Sequence, residues 1–395
     1  MNAKTHKRTD FEIELERIDK DISELKHSVL PIDSEEATKF VYRFYQRAAL
    51  TGNYVELEAA ETAVNNAIRH GIGLAADLYL LKANLDFKFH RLADVRQDLE
   101  MRPGVADSVQ GRALEADLYF QEGRYEDARK GYERVIQDDR TWDNLARLAH
   151  LNAKMGDVAG AEQLYVDAED ELTAKEMRSY AWVELQRGVL DLTHGRYEKA
   201  GAHYNRADRA YSGYWLVDEH IAELLGAQGK FGEAVALYEK LIARVPRPEF
   251  QQALGELYAL MDRPEQAQRC HDSALDAYLQ STRSGGVHYY HHLADFYSDV
   301  REDGAEAVNW ARRDIELRTN FSTQAALAWA LYRDGQFAEA LDMINRALAS
   351  GVRDARLLFQ AAMIHRSAGG DGESNLYLQM AAEINPNHTN FHVHR

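Results

Sequence analysis

The chain has 395 residues, 45% of them apolar, and a formal charge of −17. That length suits several compact domains or one extended repeat array, and the surplus negative charge opposes non-specific binding to nucleic acid or anionic membrane. A single cysteine, Cys270, excludes an intramolecular disulfide framework and a cysteine-based zinc cluster; no apolar run reaches the roughly 20 residues that span a bilayer.

The polar start lacks the apolar stretch of a signal peptide, so a cytoplasmic protein is expected. The first predicted helix follows. Phe11, Leu15, Ile18, Ile22, Leu25 and Val29 are spaced 4, 3, 4, 3, 4 with charged residues between them, an a/d heptad seam. Pro31, then Asp33-Ser34 with Glu36, signals a stop and a new helix start. Two roles are open for residues 1–36: a cap over an apolar end, or a homodimer through residues 11–29. The seam is shorter than the three to four heptads that sustain a coiled coil.

Residues 37–386 are periodic. Gly-x-aromatic-x-x-Ala occurs as Gly123-Arg-Tyr125-Glu-Asp-Ala128, Gly195-Arg-Tyr197-Glu-Lys-Ala200, Gly229-Lys-Phe231-Gly-Glu-Ala234 and Gly335-Gln-Phe337-Ala-Glu-Ala340. Weaker copies begin at Gly52, His90, Gly156, Asp262, Glu302 and Gly369, at intervals of 38, 33, 33, 39, 34, 33, 40, 33 and 34. The leading residue is placed to adopt positive φ and end a helix, the aromatic to pack at the entry of the next, and the alanine to allow close approach. Small residues such as Ala116, Gly188, Ala222 and Ala328 stand seven positions upstream of the turns. Each unit therefore reads as two antiparallel helices. The long intervals precede the turns at His90, Gly195 and Glu302, which suggests one unit followed by three blocks of three. Extra residues are expected weakly around 101–107 and clearly around 169–176 and 280–286.

These residues resemble the tetratricopeptide repeat. The resemblance implies an all-α, right-handed superhelical solenoid of about ten repeats, a non-catalytic protein–protein interaction scaffold or adaptor. It also implies a concave face built from the first helix of each repeat, with side chains about thirteen, ten, six and three residues before the turn. That spacing selects an acidic set, Asp117, Asp143, Glu219, Glu223, Glu249 and Glu256 with Trp182, which suits a basic peptide. A later aromatic set comprises Tyr289, His292, Phe296, Trp329, Tyr332 and Phe359, with Arg356 and Arg366 beyond. The family's clamp for acidic C-terminal tails needs lysine and asparagine here. Asn84 alone matches, and Leu80, Ala113, Ala146, Leu185, Glu219 and Gln252 stand where a clamp lysine is sought.

His288, His291 and His292 share one side of a helix at i, i+3, i+4, which suits a transition metal but lacks a partnering carboxylate motif. Ordinary helix histidines are the plainer reading. His388, His392 and His394 make residues 387–395 a second histidine-rich stretch. Cys270 beside His271 is not a catalytic pair, because adjacent helix residues diverge by about 100°. No phosphate loop, dinucleotide fingerprint or nucleophile elbow is present, so no cofactor is expected. The leading expectation is a binding protein; a metal-handling protein using the three histidines is second, and an enzyme with a site near Gly285-Gly286 a distant third.

Overall fold

Every copy of the phrase folds as the corner of a helical hairpin. In the computed structural model, which describes residues 8–27, 34–71 and 75–392, helix α1 (Asp10–His27) precedes ten antiparallel pairs. The first two are α2 (Ser34–Thr51) with α3 (Tyr54–Arg69) and α4 (Ala75–Lys88) with α5 (Leu92–Met101), followed by a single turn, α6 (Pro103–Ala106). Then come α7 (Val109–Gln121) with α8 (Tyr125–Asp138), α9 (Trp142–Lys154) with α10 (Val158–Asp170), and α11 (Met177–Thr193) with α12 (Tyr197–Ala210). Next are α13 (Trp215–Ala227) with α14 (Phe231–Arg244) and α15 (Pro248–Leu260) with α16 (Pro264–Arg283). The last three pairs are α17 (Tyr290–Asp299) with α18 (Gly304–Leu317), α19 (Phe321–Arg333) with α20 (Phe337–Ala349), and α21 (Ala355–Ser367) with α22 (Asp371–Ile384). No strand occurs among the described residues.

All ten expected turn residues have positive φ, from 52° at Glu302 to 85° at Gly156. His90, Asp262 and Glu302 do so without being glycine, because the turn geometry of the repeat overrides the cost of a Cβ there. The phrase alanines Ala128, Ala161, Ala200, Ala234 and Ala340 are fully buried between helices, as are Tyr204 and Tyr238 one turn further on. Gly188 shows why small residues recur upstream: a Cβ there would stand 2.2 Å from the Tyr204 ring.

The joints lengthen helices more than loops. Before Gly195 and Glu302 the chain has a 17-residue α11 and a 20-residue α16. At the first joint the 16-residue α3 carries added length ahead of the turn at His90, not at 101–107. Residues 101–107 instead contain α6, which takes up the chain left by a ten-residue α5.

Successive turns of the superhelix touch. Taking α2–α3 as unit 1 and α21–α22 as unit 10, the hairpin corner of unit n lies against the connection that precedes unit n+6. Arg247 reaches Gly52 O at 3.4 Å, and the rings of Phe89 and His288 lie 6.4 Å apart. Thr319 N donates to Gln121 O at 3.1 Å and Arg353 N to Lys154 O at 2.9 Å. The space beside Gly195 is filled by Asn385, where an eleventh unit would begin. Six units thus complete one superhelical turn, and backbone donors that an isolated hairpin would leave to water are satisfied one turn away.

Helix α1 lies on α2. Ile18 and Ile22 are buried with Leu50, and Phe11, Leu15, Phe40 and Phe44 pack around them. Its start also joins the next superhelical turn: Phe11 N donates to Ser212 O at 3.2 Å, and Tyr211 Oη to Glu14 at 2.6 Å. The seam expected for a homodimer is therefore covered within the chain as far as Ile22. Val29, Pro31 and Asp33 lie outside the described residues, and so does His394. No helix among the described residues is long and apolar enough to cross a membrane.

Candidate interaction surface

The first helices of units 8, 9 and 10 enclose a cavity of about 520 Å³, walled by α17, α19 and α21 and closed by the ends of α9 and α11 and by residues 385–392. Trp329 and Phe359 supply its aromatic surface. The Trp329 indole donates to Asp299 Oδ1 at 2.8 Å and stacks on Tyr332 at 4.9 Å. Asp299 also faces Arg356 at 3.8 Å, and Arg356 lies 3.4 Å from Asp295. Arg333 donates to Ser298 O at 2.9 Å and to Glu302 at 2.8 Å. Burial would raise the Asp295 pKa, but Arg356 and His291 hold it below the usual carboxylate range. Asp295, Asp299 and Arg356 continue into a neighbouring cavity of about 420 Å³ that Glu256 and Gln252 of α15 also line. Together the two form one groove from α15 to α21, lined by both aromatic and charged side chains.

The structure redistributes the aromatic set. Trp329 and Phe359 line the groove, and Tyr332 backs Trp329. Tyr289 and Phe296 are buried instead in the core, where Tyr289 packs against Tyr54 and Tyr278. His292 packs beside Tyr278 and Tyr289 and lines neither cavity of the groove. The cause is one residue. Helices α13, α15, α19 and α21 end two residues before their positive-φ turn, whereas α17 ends three before Glu302. One extra residue rotates the face by about 100°, so His291 and Asp295 occupy the places expected for His292 and Phe296.

The acidic set does not form one open face. Arg147 pairs with both Asp117 (3.2 Å) and Asp143 (2.8 Å), and Tyr132 Oη donates to Asp117. Trp182 packs edge-on against Trp142 at 5.7 Å. Glu249 is bound by Arg247 at 2.6 Å, beside the contact between superhelical turns. Glu219 and Glu223 are buried, each only 1% exposed, beside His220. Glu256 is the member that reaches the groove. A further cavity of about 560 Å³ on the first helices of units 1–4 contains Asp143, Leu80, Ala113 and Asn84. The Asn84 amide there donates to Leu80 O at 2.8 Å, a bond within its own helix.

The three histidines do not converge. His288 stacks on Tyr54 at 3.9 Å, and Tyr289 lies between it and His292. His291 Nδ1 bonds Asp314 at 3.0 Å, with Asp295 3.7 Å from Nε2. Burial lowers His288 and His292 to about 4, keeping both neutral. Among the described residues a metal-ligating arrangement is met elsewhere, by Glu219, His220 and Glu223. The concave-face spacing assigns those two glutamates instead to an open acidic set for a basic peptide. Cys270 is half-buried, and burial raises its thiol pKa, which opposes a reactive thiolate.

The C-terminal segment is packed rather than free as far as Phe391. The His388 ring lies 5.7 Å from Phe359, and Asn390 Nδ2 donates to Ala227 O at 3.0 Å. Phe391 is buried, and a Cβ on Gly226 would stand 2.3 Å from its ring.

The tetratricopeptide repeat family model matches residues 221–268 and 325–388. With ten hairpins built on the same corner, the described residues form an all-helical array of tetratricopeptide-type repeats. Solved structures similar to it include a tetratricopeptide repeat protein from Parabacteroides merdae, at 18% identity over 62% of this chain and 93% of the other, with a TM-score of 0.38. The APC/C hetero-tetramer Cut9-Hcn1 aligns at 16% identity over 95% and 79%, with a TM-score of 0.45. MamA aligns at 17% identity over 42% and 96%, with a TM-score of 0.34. No curated protein is significantly similar in sequence.

Proposed function

We propose that the chain is a scaffold or adaptor that holds a peptide, or an extended segment of a partner protein, along the groove from α15 to α21. The observation that carries this reading is the seating of the chain's own residues 385–392 in the cavity wall, with His388 against Phe359. Non-helical polypeptide thus already packs against that surface. Trp329 and Phe359 supply the rigid aromatic contacts on which such binding energy concentrates. Glu256, Asp295, Asp299 and Glu302 favour a partner that carries basic side chains, and Arg333 and Arg356 set its register. The mechanism is complementarity of shape and charge, without a chemical step.

Capture of partners from native lysate by the wild type and by Trp329→Ala/Phe359→Ala tests the reading. Both substitutions alter half-buried side chains, so the variant keeps its helical circular dichroism. Loss of the specific partners in that folded variant supports the groove, and their retention refutes it.

A further inference from the structure

Four side chains of metal-ligating type meet at the middle of α13. Glu219, His220 and Glu223 place their donor atoms within 4.8 Å of one another, and all three are buried. His220 Nδ1 is 2.8 Å from Glu219 Oε2 and 3.4 Å from Glu223 Oε2. From the far end of the chain, His392 sets its Nδ1 against Glu223 Oε1. Separations near 3 Å match the edges of a coordination polyhedron whose metal–ligand bonds are about 2.0–2.2 Å.

Two hydroxyls point to the same place independently. Tyr204 and Tyr238 flank the trio from α12 and α14, are fully buried, and have no hydrogen-bond partner for Oη. The Tyr204 ring stacks on His220 at 5.8 Å, and both hydroxyls lie in the field of Glu219 and Glu223. Unit 3 shows the ordinary arrangement: Tyr132 Oη donates at 2.8 Å to Asp117, fifteen residues before it. Glu223 stands fifteen residues before Tyr238, yet its carboxylate is engaged with the two imidazoles. A buried hydroxyl left unbonded is destabilising, and a water carried by a bound ion accepts from one hydroxyl and donates to the other. Charge agrees, because a divalent cation cancels two buried carboxylates and leaves the imidazoles neutral.

We propose that Glu219, His220, Glu223 and His392 form a site for one divalent transition-metal ion, with Zn²⁺ the best match to two imidazoles and two carboxylates. The site is distinct from the histidines of α17. Three ligands belong to one helix and the fourth to the C-terminal segment, so the ion fastens that segment to α13. Because His388 and His392 line the groove, metal occupancy then controls how far the segment fills it. This last consequence rests on the groove reading; the metal site does not.

The test is titration of the full-length, tag-free chain, first stripped by a chelator, with Zn²⁺ in competition with a chromophoric chelator. A parallel Co²⁺ titration reads coordination from its visible absorption. The expected result is one ion per chain, with affinity lowered about a hundredfold by Glu223→Gln and about tenfold by His392→Ala. His288→Ala leaves it unchanged. Glu223 is buried and its variant can unfold, so His392→Ala, on a terminal segment with a quarter of its side chain exposed, carries the test by itself. No Zn²⁺ bound by the wild type, or equal affinity in wild type and His392→Ala, overturns the proposal and leaves the cluster as a buried ion network. Neither result depends on whether a partner occupies the groove.

Discussion

The Trp215 indole donates from Nε1 to Leu50 O at 2.9 Å, across 165 residues of sequence and one turn of the superhelix. A Cβ on Gly52 would stand 2.4 Å from the same indole, so the corner of unit 1 is shaped around it. Arg247 adds its guanidinium over the Trp215 ring at 5.3 Å. Trp215→Phe removes the buried hydrogen bond and strands a carbonyl, with an expected loss of about 1–2 kcal/mol; Trp215→Ala adds a cavity and costs about 3–5 kcal/mol. Thermal unfolding reads both losses. Small-angle scattering should show a larger radius for Trp215→Ala, because the contact it removes joins two superhelical turns.

The corners can be tested without disturbing packing. At Gly335, φ is 77° and an added Cβ meets nothing within 4 Å, so Gly335→Ala carries backbone strain alone. It should lower stability by about 1 kcal/mol. Asp262 pays that strain already at φ 56°, and Asp262→Gly should raise the urea midpoint. The opposite signs of the two changes are the prediction.

Acid should weaken the contact between superhelical turns. Burial holds His288 and His292 near 4 in the folded chain, whereas an unfolded histidine titrates near 6.5. Between those values the unfolded chain binds more protons, so stability falls as pH drops from about 6.5 toward 4, and these two histidines add no pH dependence above that window. Each histidine contributes up to about 1.4 kcal/mol per pH unit. Melting temperature against pH should fall across this range, and His288→Phe, which keeps the ring against Tyr54, should flatten the fall.

Deletion of residues 1–33 should destabilise the chain, because Leu50, Phe40 and Phe44 lose Ile18 and Ile22. Light scattering should give a monomer mass before and after the deletion. A dimer mass in the full chain alone would assign α1 to self-association instead.

The local rules of the repeat were legible in the sequence, and its long-range geometry was not. Ten corners could be read because glycine, aromatic and alanine each answer a steric need inside one hairpin. His90, Asp262 and Glu302 were found by interval rather than by residue type, and they adopt the expected backbone. The contact of Gly123 with Thr319 depends on small rotations summed over six units, which no local pattern encodes. Tyr289 and Phe296 were misassigned by the single residue inserted before Glu302, since a fixed count back from the turn cannot register it. Glu219 and Glu223 were counted into an open acidic face because their cover, Tyr204, Tyr238 and His392, comes from neighbouring helices and from the other end of the chain.

The groove is tested most directly by a photo-crosslinking residue placed at Ser322, in the cavity wall, and in a second chain at Asp342, on the outer surface of α20. Irradiation in native lysate should give discrete higher-mass adducts from Ser322 that Trp329→Ala/Phe359→Ala abolishes, and none from Asp342. Adducts from Asp342 alone, or Ser322 adducts that survive the double substitution, would contradict a partner held in the groove.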